Sequence, residues 1–186
     1  MIPIFEQGRS QGIGHSVDTF IGRFDDILRE HLADGRAQAF AFIFYDFNDA
    51  SVRKILKDQG VFAKLDRLSG DRLSIFYLHR GGEKSIEKFN AQFLTTLDVH
   101  EIAGLPCVVF FKFKDDQIED VQVVQLDNAN LIHGFFELFT VVENYLDHAA
   151  KKPSESRGLK WIKSGSKFIG IEAFRAALRQ SLDNWF

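Results

Sequence analysis

Three short runs of apolar and aromatic residues, AQAFAFIFY (37–45), RLSIFYLH (72–79) and CVVFFKF (107–113), most constrain what this chain can fold into. Each has strand length, sits between turn and cap residues, and is too apolar to leave one face in water. Strands of this kind need cover on both sides, so the runs predict a sheet enclosed between helices.

The intervening segments supply those helices. Val17, Phe20, Ile21, Phe24, Ile27, Leu28 and Leu32 form a helical stripe over 17–33, with Ser16 as N-cap and Gly35 beyond the end. Val52, Ile55 and Leu56 lie opposite Arg53, Lys54 and Lys57 on a short helix capped by Asn48 or Asp49. Residues 61–71 read as a helical turn. Ile86, Phe89, Phe93, Leu94 and Leu97 mark a helix opening near Glu83. The polar turn 114–117 folds the third run into an antiparallel hairpin with Ile118, Val121 and Val123. A long helix spans about 129–149 and a last one about 171–184.

Size and composition narrow the class. With 186 residues, 45% of them hydrophobic, the chain can bury a core without cross-links. Its single cysteine, Cys107, excludes an intrachain disulfide, a CxxC redox pair and a multi-cysteine zinc cluster. The six histidines show no metal-ligand spacing, so no metal or cofactor is expected. The longest apolar run, Ala39 to Tyr45, has seven residues, far short of a membrane span. The N-terminus lacks a secretory pattern, so a cytoplasmic protein is expected. Gly8, Gly12 and Gly14 precede a helix without a Walker or dinucleotide pattern and read as a mobile N-terminal arm.

The net charge of −3 conceals an asymmetry. Residues 151–186 hold eight Lys or Arg against three acids, leaving residues 1–150 at −8. A basic tail docked on its own acidic body is the simplest outcome. The stretch 151–158 has linker chemistry. The expected organisation is therefore an N-terminal arm and helix (1–36), a core domain (37–150), a linker (151–158) and a basic helical extension (159–186).

The order strand, helix, strand, helix, strand, strand, helix, with Gly104-Leu105-Pro106 leading into the apolar strand and charged turn of the hairpin, resembles the thioredoxin-like superfamily. The resemblance covers residues 37–149. It implies an α/β fold whose mixed sheet, a central parallel pair plus an antiparallel hairpin, is flanked by helices, with the N-terminal helix and C-terminal extension added. It also implies a cis peptide bond at Pro106. Redox-active members carry CxxC where this chain reads YDFNDASVRKIL (45–56), and an ungapped match places Val52 and Ile55 at the two cysteine positions. Dithiol exchange needs two thiols, so this chain cannot run that cycle alone. Asp46 matches the family's buried acid, but with no thiol to deprotonate it reads instead as a turn or helix-cap residue.

Three functional readings follow. The first is a redox-inactive interaction module that binds a protein or peptide through Leu105, Pro106, Cys107, Asp46 and Asn48, or through an exposed apolar helix face such as GFFELF (134–139); a homo-oligomer fits the same chemistry. The second is a thiol enzyme or redox sensor using Cys107 with His100 or His79 as partner. The third is nucleic-acid or anionic-surface binding by 151–170, where Lys160 and Trp161 place a cation beside an aromatic ring.

Overall fold

The computed structural model describes residues 1–6, 14–126, 131–148, 161–163 and 169–182. Their strands are β1 (Ile2–Phe5), β2 (His15–Ser16), β3 (Ala39–Phe44), β4 (Leu73–His79), β5 (Cys107–Lys114), β6 (Gln117–Gln125), β7 (Trp161–Lys163) and β8 (Ile169–Gly170). The helices are α1 (Val17–Gly22), α2 (Phe24–Ala33), α3 (Ala50–Lys57), α4 (Gln59–Ser69), α5 (Glu83–Thr96), α6 (Leu131–His148) and α7 (Ile171–Leu182). The result is an α/β protein with one mixed sheet, seven strands wide in the order β2-β1-β4-β3-β5-β6-β7, and β8 paired beside β7 on β6. Strands β2, β1, β4 and β3 are mutually parallel, and β5 turns antiparallel to β3 and opens the hairpin with β6.

The three apolar runs all become strands, and alternation along β3 divides the core. Phe40, Phe42 and Phe44 point to one face, and Ala39, Ala41 and Ile43 to the other. On the phenylalanine face, α1, α2, α5 and α7 pack together and bring Phe20, Phe24, Phe93 and Phe174 onto the sheet. Ring centroids lie 4.8 Å apart for Phe42 and Phe93, 4.9 Å for Phe20 and Phe76, and 4.7 Å for the stacked pair Phe24 and Phe174. The opposite face carries α3, α4 and α6, with Tyr145 stacked on Phe110 at 4.1 Å.

Several expectations change. The stripe over 17–33 is two helices, because Arg23, at φ −120° and ψ 21°, interrupts the turn while the apolar face continues across the break. Ser16 does cap the first, accepting a hydrogen bond from the Thr19 N–H at 3.2 Å. Residues 59–69 form a full helix, started by Asp58, whose carboxylate accepts from the N–H groups of Gly60 and Val61.

The N-terminus is not an arm where it is described: Ile2–Phe5 lies inside the sheet with Ile4 fully buried. Four residues including a proline carry almost no strand signal, and their partner β4 lies some seventy residues away in sequence. Gly8 and Gly12 lie outside the described residues. Gly14, at φ +148°, passes so close to β1 that a Cβ there would sit 2.7 Å from the Phe5 ring.

The C-terminal segment is likewise part of the core. The linker 151–158 lies outside the described residues, but β7 and β8 extend the sheet and α7 buries Ile171, Phe174 and Leu178. Arg175 pairs with the buried Asp25 of α2, so the basic tail does dock on the acidic body. The Asp25 carboxylate also takes Arg29 at 2.9 Å, and Arg29 reaches Asp116 in the β5–β6 turn at 2.6 Å. Burial raises the Asp25 pKa, but the hydrogen bond and charge of Arg175 outweigh it and hold the carboxyl below its ordinary value.

If α7 is core, Phe174→Ala lowers the unfolding free energy by about 3–5 kcal/mol in urea denaturation, the cost of emptying a fully buried phenyl site. A loss below about 1 kcal/mol would show that the body folds without it.

Candidate functional site

The parallel strands β1, β3 and β4 end at one edge of the sheet, where β5 begins. This brings together most of the residues singled out from sequence: Asp46 and Asn48 after β3, His79 at the end of β4, and Leu105, Pro106 and Cys107 at the start of β5. The Leu105–Pro106 peptide is cis, and the Pro106 carbonyl accepts from the Leu126 N–H at 2.8 Å. Gly104 lies against the Gln125 side-chain amide, so a Cβ there would make that flexible side chain move aside.

Little of this edge faces solvent. Pro106 and Cys107 are buried and Leu105 is half-buried. Burial alone pushes the Cys107 thiol up to about 12, so it is protonated at neutral pH. Neither suggested partner bonds to it. His100 is exposed beside Glu101, and His79 packs edge-on to Phe5 and Tyr77, its pKa lowered by burial and then by Arg80 and Lys57.

Asp46 is exposed and builds a turn. Its N–H donates to the buried Asp49 carboxylate at 2.7 Å, and its carbonyl accepts from the Asp49 N–H. Partial desolvation and then the Asp49 charge raise the Asp46 pKa. Asn48 is exposed and its carbonyl accepts from the Ala50 N–H. Arg53 closes the turn, donating to the Phe47 carbonyl at 2.8 Å with its guanidinium 4.2 Å from the Phe47 ring centre. Lys160 lies outside the described residues, as does the Trp161 side chain; the Trp161 backbone pairs with Val124 as part of β7.

Two concavities lie elsewhere. At the amino ends of β1 and β4 a cleft of about 730 Å³ has a mixed lining, with His15, His31, Glu30, Arg36 and Ser74 beside the apolar Ile2 and Phe62. His31 is buried, its Nδ1 lies 2.8 Å from Ser74 Oγ, and its ring stacks on Phe76. Burial, then Arg36 and His15, lower its pKa. Sequence spacing missed this pairing because His31 and Ser74 meet only across the α2–β4 contact.

The second is an apolar groove of about 480 Å³ between α4 and α6, formed by Leu68, Phe136 and Phe139 with Lys64 and Arg67 on its rim. Phe136 is 62% exposed, the one large exposed hydrophobic among the described residues. It belongs to GFFELF, the helix segment identified from sequence as a docking patch should one face be exposed.

Among the described residues no group of three or more His, Cys, Asp or Glu is placed to hold a metal, and no helix is long and apolar enough to cross a membrane. Comparison with protein-family models, curated proteins and solved structures finds no match to this chain.

The buried histidine gives a pH signature. The native pKa of His31 lies below the unfolded value of about 6.5, so the unfolded chain takes up the proton first. The stability held above that pH is lost as pH falls toward the native pKa and then levels off. Urea denaturation between pH 7.5 and 5 should show this loss, and His31→Gln should shrink it. An unchanged slope in the variant would assign the effect to other groups.

Proposed function

We propose that this chain is a redox-inactive member of the thioredoxin-like superfamily that works as a protein-interaction module, docking through the α4–α6 face. The fold part of the reading is supported by the parallel pair β3 and β4 beside the antiparallel β5–β6 hairpin, and by the proline loop that opens β5. The absence of redox chemistry is supported at the β3–α3 junction, where buried Val52 and Ile55 occupy the positions matched to the family's thiols.

The observation that carries the interaction reading is Phe136. An aromatic ring with most of its surface in water, set in an apolar groove with cations on the rim, has the chemistry of an interface anchor. The proline loop offers less, because Pro106 and Cys107 present almost no surface. A thiol mechanism is disfavoured by the same burial, which keeps Cys107 protonated.

Affinity capture from the native source tests the proposal. Wild type and Cys107→Ser should retain the same partner, while Phe136→Asp should lose it with unchanged circular dichroism and Tm. A partner kept by Phe136→Asp would remove this face from the proposal. Loss with Cys107→Ser in a folded protein would return the thiol to it.

A further inference from the structure

We infer that the α4–α6 face is a contact between two copies of this chain related by a two-fold axis, with Phe136 of each copy against the groove of the other. The inference rests on reading that face as an interaction surface and names its occupant. It comes from the charges flanking the ring.

An isologous contact needs one patch that carries both halves of its own complement. The exposed residues of α6 among those described are Phe136, Thr140, Glu143 and Asp147. Their spacing of four, three and four places them on a single stripe of the helix, apolar at the start and acidic at the end. Beside the apolar start stands the basic edge of α4, with Lys64 and Arg67 on the rim of the groove that holds Phe136. Arg67, Glu143 and Asp147 have no ion-pair partner among the described residues.

Within one copy these charges are apart. Glu143 lies seven residues beyond Phe136, about 10 Å along the helix axis, and Asp147 about 16 Å. An antiparallel pairing of two α6 helices about an axis near the Phe136–Thr140 turn reverses that order. The acidic end of each helix then passes over the basic edge of the other copy's α4, and the two Phe136 rings come together at the centre. A single copy cannot satisfy this arrangement, whereas two copies satisfy it twice.

The apolar centre is small and the flanking pairs are exposed, so association is weak and depends on concentration and salt. Sedimentation equilibrium of the full chain over a concentration series reaching high micromolar should move from one chain mass to two, less so at high salt. Phe136→Asp should remain monomeric throughout with unchanged circular dichroism. Arg67→Glu should weaken association about tenfold, since the contact is lost twice per dimer, and adding Glu143→Arg should recover most of it.

A wild type that stays monomeric at every concentration overturns the inference, as does a dimer that tolerates Phe136→Asp. A double variant no better than Arg67→Glu alone overturns the charge pairing. A monomeric wild type that still captures a different protein, lost on Phe136→Asp, sinks the second copy and leaves the interaction reading standing. A dimer that survives Phe136→Asp, together with capture that survives it, sinks both.

Discussion

The ring of Phe42, at the middle of β3, is the point on which one whole layer of the protein converges. Phe20 from α1, Phe24 from α2, Phe93 from α5, Phe76 from β4 and Phe111 from β5 all lie within 6.1 Å of it, centroid to centroid. Rings that pack edge-on and offset fill space densely and hold one another in defined orientations. Phe174 of α7 joins through Phe24 and Phe93, so the last helix is held by the same cluster as the first. Among the described residues, Phe20, Phe24, Phe42, Phe76, Phe93, Phe111 and Phe174 thus share one side of the sheet.

The other side is built differently. Ala41 and Ile43 of β3 face that side, where α6 packs with α3 and α4. The buried stripe of α6, Leu138, Val141, Val142, Tyr145 and Leu146, is satisfied by the sheet, which leaves the outward stripe with Phe136 to solvent. Electrostatics ties the distant parts together on the phenylalanine side. Asp25 takes Arg29 and Arg175, linking α2 to α7, and Arg29 extends the link to the β5–β6 turn. The buried charge of Asp25 is tolerable because it is paired, by Arg29 of its own helix and by Arg175 of α7.

The candidate site was legible in pieces. Asp46, Asn48, His79 and the Pro106 loop do meet at one edge, because parallel strands end together and β5 starts where β3 stops. Their accessibility was not legible. Cys107 follows a proline at the start of an apolar run, a description that fits an exposed loop thiol and a buried core thiol equally. The His31–Ser74 pairing and the cleft beside it had no local signature, since they join residues 43 apart.

The single cysteine determined the lack of a paired thiol, and periodicity by itself determined the three central strands, the helical character of most segments between them and the antiparallel hairpin. These depend on side-chain spacing within a dozen residues, which a linear chain displays directly. The membership of β1, β2, β7, β8 and α7 in the core, the break at Arg23 and the burial of Cys107 were decided only by the tertiary structure. Two- to four-residue strands gain their stability from a partner strand rather than from their own pattern. A fully buried aromatic or acid is recognised as such only when the elements that cover it, far away in the chain, are in position.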